Sequence, residues 1–239
     1  MTFLLNFLKR VAQGIALLVG AIVVYLAYSY YTTVYHYNYK LTLVVEADGK
    51  VHSGSSVISV AVNDNRGASW TRSGWKLSAW GASPWVDLGQ IGIVLVSVEP
   101  AFYLAPNGAQ RPLGGSAFAF AAFVGVKSPL VDLITEANVA RIINSKERGL
   151  VNPNQAQLIW MPHRDAPKRA EFYPPNDRSE LETRGIKVRG LYVEITNERA
   201  DYSAIYDRFP WLKNMSQTSP LDHQLPNGLN ARTLLGEYR

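Results

Sequence analysis

The sequence predicts an α+β fold, a predominantly antiparallel β soluble domain following a single N-terminal transmembrane helix. Three observations carry this. Val11 to Tyr31 is an uncharged apolar run long enough to cross a bilayer; residues 35–63 alternate polar and apolar side chains around a tight-turn pair; and the remainder is a series of short apolar runs punctuated by Gly, Pro and Asn.

The apolar run comes first in the chain. A helix rises about 1.5 Å per residue, so roughly 20 residues cover the ~30 Å hydrocarbon core. From Val11 to Tyr39 there is no Asp, Glu, Lys or Arg, and Gln13 and Ser29 are the only polar interruptions of the core of the run. A core helix of a soluble protein usually keeps one wet face. Lys9 and Arg10 precede the run, whereas the far side offers Lys40 and then Lys50. The positive-inside rule therefore leaves residues 1–10 in the cytoplasm, puts the span at 11–34 in the inner (plasma) membrane, and places the bulk of the chain in the periplasm or cell exterior. A cleavable signal peptide is the competing reading. Its apolar core would be roughly 7–15 residues, and the best cleavage candidate, Ala27-Tyr28-Ser29, carries a bulky middle residue. Both readings export the domain.

Two features of the span bear on partners. Ala12, Ala16 and Gly20 fall at i, i+4 and i+8, a face of small side chains that lets another helix approach closely. Tyr28, Tyr31 and Tyr35 belong to a tyrosine cluster that begins at Tyr25 and runs on through Tyr37 and Tyr39. Phenol rings prefer the headgroup layer, so the cluster is expected at the outer interface. The expected partners are membrane lipid and other membrane or envelope proteins.

Residues 35–213 are expected to form the exported domain and 214–239 a C-terminal tail. Tyr35, Tyr37, Tyr39, Leu41, Leu43 and Val45 alternate with polar positions, Asp48-Gly49 supplies a turn that tolerates positive φ, and Val51 to Asn63 resumes alternation. That is a β-hairpin. Val86 and its neighbours Trp85 to Gly89 form one further short strand, and Ile91 to Val98, apolar on both faces, a central one. Ala117 to Val126 fits strand or buried helix equally. Ser128-Pro129 reads as a helix start, with Leu130, Leu133, Ile134 and Ala137 on its apolar face and Gly149 as its stop. Gln157 to Met161 is a short strand, followed by a polar, Pro-rich loop to Thr183; Lys187 to Asn197 alternates again. Asp201 caps a short helix carrying Tyr202, Ile205, Tyr206 and Phe209, and Pro210 ends it. From Asn214 the chain is punctuated without pattern, as in a tail lying on the surface.

Composition narrows the chemistry. The 239 residues contain no cysteine, which removes disulfides, thiolate metal sites and cysteine nucleophiles. The net charge of +5 is spread through segments where bases alternate with acids, the pattern of solvated faces, so no nucleic-acid partner is expected. The four histidines, His36, His52, His163 and His223, show no metal-binding spacing, and no cofactor is expected. No G-x-S-x-G elbow and no P-loop occur. Asp132 and Glu136, one helical turn apart, and Asp87 are the carboxylates open to an acid or base role; near a helix start the dipole accounts for the first two. Trp70, Arg72, Trp75, Lys76 and Trp80, with Trp85 beyond, suit either a surface that stacks on sugar rings or headgroups, or a packed core whose edges the cations cover.

Gly54-Ser55-Ser56-Val57, Val86-Asp87-Leu88-Gly89 and the late Ile195-Thr196 followed by Pro210-Trp211-Leu212 give the chain a further character. With these elements it resembles a group of uncharacterised bacterial proteins, over most of residues 39–213. The resemblance implies one domain there and attaches no activity, cofactor or catalytic residue.

The function expected from these readings is that of a single-pass, membrane-anchored envelope protein, a non-enzymatic accessory or scaffold subunit of a membrane-associated assembly. The alternatives are a membrane-tethered enzyme acting on envelope glycans, with Asp87, Asp132 or Glu136 as acid or base, and a carbohydrate-binding module using the tryptophans.

Overall fold

The computed structural model describes residues 2–64, 75–99, 114–125, 134–175, 177–214, 229 and 231–236. The chain divides into two compact units, residues 1–35 with 62–76, and residues 36–61 with 77–239. The first contains helix α1 (Thr2–Thr32), at about 1.5 Å per residue roughly 46 Å long. It is long and apolar enough over Arg10–Ala27 to cross a membrane. No other helix among the described residues meets that test.

The β structure lies in two antiparallel sheets. Strands β1 (Thr33–Ala47) and β2 (Lys50–Asp64) form the expected hairpin, and both turn residues have left-handed φ, Asp48 at 51° and Gly49 at 70°. With β3 (Trp75–Gly81), β6 (Gly149–Val151) and β9 (Lys187–Thr196) they make a five-stranded sheet of order β3-β2-β1-β9-β6. The second sheet has the order β4-β5-β7-β8, from β4 (Trp85–Asp87), β5 (Ile93–Val96), β7 (Leu158–Met161) and β8 (Glu171–Tyr173). Every residue of β5 and β7 is buried, as an apolar run on both faces requires.

The period-two reading of β1 holds in detail. Tyr37, Tyr39, Leu41, Leu43 and Val45 all point into the core, and the Tyr39 hydroxyl donates to the carbonyl of Gly115. Opposite β1, the register of β9 slips between Val44 and Val45, which face Gly190 and Val188. Arg189 is thus the extra residue of a bulge, which leaves it free to turn toward Glu46, whose Oε2 accepts from its Nε at 2.7 Å.

Helices fill in around this frame. Residues left open between strand and helix form helix α2 (Phe118–Phe123), buried through Phe120 and packed on β6, where a Cβ at Gly149 would sit 2.7 Å from the Ala122 methyl. Helix α3 (Glu136–Ile143) starts at a Thr135 cap that accepts from the Asn138 amide at 3.2 Å; Ser128 and residues to 133 lie outside the described set. Its buried face is Val139 and Ile142, not the face through Ala137, and Gly149 opens β6 instead of stopping a helix. The expected loop before Thr183 contains β8 and helix α4 (Ser179–Thr183). Helix α5 (Ser203–Arg208) is the Asp201-capped one, with Asp201 Oδ1 accepting from the Ser203 amide at 2.9 Å.

The largest correction concerns the tail. Leu229, Leu234 and Leu235 are fully buried beside Ile93, Leu95, Ile159, Ile205, Phe209 and Leu212, and residues 231–235 form helix α6 (Ala231–Leu235). The Leu234 carbonyl accepts from the Ser83 amide at 2.6 Å, the Thr233 carbonyl from Val98 at 2.9 Å, and Gly236 bridges to Trp80. Punctuated sequence reads as surface because pattern is judged locally, whereas this segment gets its burial from strands more than 130 residues away.

Two expectations follow for stability. Leu234→Ala should lower the unfolding free energy by about 2–5 kcal/mol, read as a drop in the urea midpoint, where a surface tail would give no change. Tyr202, half-buried at the start of α5, has its hydroxyl pushed up to about 12 by burial. Its contribution is complete below the unfolded value near 10 and is lost as pH rises from there to about 12. Tyr202→Phe should flatten the fall in melting temperature across that window.

Candidate functional site

The first two sequence elements singled out above and the Pro210-Trp211-Leu212 end of the third meet around Trp85, whereas Ile195 and Thr196 lie on β9 paired with β1. Gly54 of β2 lies so close to β4 that an added Cβ would overlap the Trp85 carbonyl oxygen, and two residues on, the Ser56 hydroxyl donates to the Ala82 carbonyl at 2.5 Å. Only glycine permits that backbone approach. Val86 and Leu88 are buried, while the Asp87 carboxylate between them is exposed and accepts a hydrogen bond at each oxygen. Its Oδ1 accepts from the Gly89 amide at 2.9 Å, closing a turn in which Gly89 has φ 65°, and its Oδ2 accepts from Arg208 of α5. The late element completes the junction. Phe209 packs edge-on to Trp85 at 6.1 Å and to Trp211 at 5.9 Å, Trp211 donates to the Arg164 carbonyl at 2.7 Å, and Leu212 enters the core.

This arrangement does structural work. Both Asp87 oxygens take part in holding elements together, one at the turn and the other at α5. Glu136 stands in the first turn of α3, where the dipole favours it; Asp132 lies outside the described residues. Among the described residues no three His, Asp or Glu side chains gather as metal ligands.

The expected contact residues fall out as follows. Ala12, Ala16 and Gly20 are exposed on α1. Tyr28 and Tyr31 belong to α1, but their side chains are outside the described set, and Tyr35 is half-buried. Tyr37 and Tyr39 belong to the folded core and leave the tyrosine cluster shorter than its sequence suggests; burial raises the pKa of both hydroxyls well above 10. Trp70 and Arg72 lie outside the described residues, as do the side chains of Trp75 and Lys76 in β3. Trp80 and Trp85 are each half-buried, and Trp85 is packed against the core.

Sequence reasoning did not foresee a second cluster on the edge of the smaller sheet. The Arg184 guanidinium carbon sits over the Trp160 ring, 3.9 Å from its centroid, and bonds Glu171 at 2.7 Å, and the Tyr173 hydroxyl donates to the same Glu171 oxygen at 2.6 Å. Burial, followed by that carboxylate, pushes the Tyr173 hydroxyl up to about 12. The four residues come from two strands and the turn after α4, so no local spacing could have signalled them. Like the Trp85 junction, the cluster ties elements together.

No protein-family model matches the chain, and no curated protein or solved structure matches it either.

The junction makes a ranking testable by chemical denaturation. Gly54→Ala should destabilise by about 1–3 kcal/mol or more, because it forces backbone apart. Asp87→Ala should cost only about 1 kcal/mol, since its ion pair with Arg208 is partly solvated. An equal or reversed order would remove the close approach as the organising contact.

Proposed function

We propose that the chain is a single-pass envelope protein, anchored by α1, whose exported domain serves as a non-enzymatic accessory or scaffold subunit of a membrane assembly. The observation that carries this is the surface of α1. From Val11 to Leu26 its large apolar side chains stand 43–76% exposed, all around the helix. Water tolerates no such continuous apolar surface, and hydrocarbon suits it. The helix also continues through Ala27-Tyr28-Ser29, so the one stretch resembling a cleavage site is helical. The basic residues Lys9 and Arg10 at its start support a cytoplasmic N-terminus and a periplasmic domain.

The accessory role draws support from how the domain spends its charges. Asp87–Arg208 and Glu46–Arg189 join elements more than 100 residues apart, and Glu171–Arg184 ties β8 to the turn after α4. Ala12, Ala16 and Gly20 offer a small-residue face to a helix of a partner subunit.

The full-length protein, expressed in a bacterial host, should stay with membranes after alkaline carbonate washing, retain its first residues, and activate a periplasm-dependent reporter fused after Arg239. A mature chain starting beyond Ser29, or a fusion active only in the cytosol, would overturn the anchor. Leu18→Arg with Val19→Arg adds about 5–7 kcal/mol to insertion and should abolish membrane retention. For the accessory role, cross-linking in native membranes should trap a larger species; migration solely as a monomer after gentle extraction counts against it.

A further inference from the structure

Residues 229–236 are held the way a domain holds a short peptide. Leu229, Leu234 and Leu235 share one buried cluster with Ile93, Leu95 and Ile159 of the smaller sheet and with Ile205, Phe209 and Leu212 at α5 and after it. The backbone is gripped as well. The Ser83 amide donates to the Leu234 carbonyl at 2.6 Å, the Val98 amide to the Thr233 carbonyl at 2.9 Å, and Gly236 bridges to Trp80. At Gly236, where φ is 70°, an added Cβ would lie 2.8 Å from the Ala79 carbonyl oxygen, so this position selects glycine. Apolar anchors combined with main-chain bonds are a recurring mode of peptide recognition.

The groove that receives the segment is built from other elements. Ile93, Leu95 and Ile159 stand on β5 and β7, which pair with each other and, on their outer sides, with β4 and β8. Phe209 is seated by its edge-on contacts with Trp85 and Trp211. Helix α6, by contrast, has five residues and belongs to neither sheet. A helix that short does not persist alone, so the groove imposes its conformation. Residues 229–236 can therefore leave without unpairing a strand of either sheet, a local opening of the kind that costs less than unfolding the domain.

We propose that this groove is a peptide-binding site, that residues 229–236 are a displaceable strap masking it, and that it accepts from a partner a segment of the same Leu-x4-Leu-Leu-Gly pattern. With the strap away, the groove presents an aliphatic surface and the freed amides of Ser83 and Val98, which such a segment satisfies together. The site lies within residues 79–236 and does not depend on the anchor.

A labelled peptide of residues 227–239, titrated into the full-length protein in mild detergent and followed by fluorescence anisotropy, tests this. The wild-type strap competes at an effective concentration on the order of millimolar, so wild type should bind the peptide roughly a hundredfold more weakly than full-length Leu234→Arg, whose own strap no longer fits. The peptide should also raise the melting temperature of that variant, and a peptide carrying Leu234→Arg should do neither. If the variant fails to fold, a wild-type chain with a protease site inserted between Pro220 and Leu221 carries the test. After cutting, labelled peptide should displace the 221–239 fragment while the rest of the protein keeps its cooperative melt. The proposal is overturned by absence of saturable binding to folded Leu234→Arg, by equal binding of the two peptides, or by a cut protein that never exchanges its fragment or unfolds in doing so.

Discussion

The β-rich domain depends on one close contact, the backbone of Gly54 against the carbonyl of Trp85. It brings β2 of the larger sheet onto β4 at the edge of the smaller one, with no side chain of Gly54 to hold them apart. Everything nearby is arranged to keep that approach. Ser56 ties the same strand to Ala82, Asp87 closes the turn after β4 and reaches Arg208, and Phe209 packs edge-on to the Trp85 ring. The contact also answers a hazard of β structure, because an uncovered outer strand invites pairing with other chains.

The same hazard is met elsewhere by different means. At the other end of the larger sheet β6 is only three residues long and has α2 packed on it. Near the end of β3 the chain's last described residues take over, with Gly236 bridged to Trp80 and Leu234 bonded to Ser83. Leucines 229, 234 and 235 then complete the core that Ile93, Leu95 and Ile159 begin. A segment that is hydrophobic at only a few positions is buried because each of those positions meets a prepared surface.

Polar groups follow a parallel logic. Where a carboxylate and a guanidinium can reach each other across the fold they pair, and the pairs hold strands and turns in place.

What the sequence determined by itself was local and periodic. The uncharged run that became α1, the inward row from Tyr37 to Val45, the Asp48-Gly49 turn, the strand at 158–161 and the Asp201 cap all follow from spacing and turn chemistry that operate within a few residues. The tertiary structure alone decided what those pieces were for. Asp87 meets Arg208, 121 residues later, only through the fold; Tyr37 and Tyr39 looked interfacial until the sheet buried them. The end of the chain looked like surface until strands far upstream received it. In each case the competing interaction lies outside any window over which periodicity can be read, and it wins because burial and hydrogen bonding are set by proximity in space.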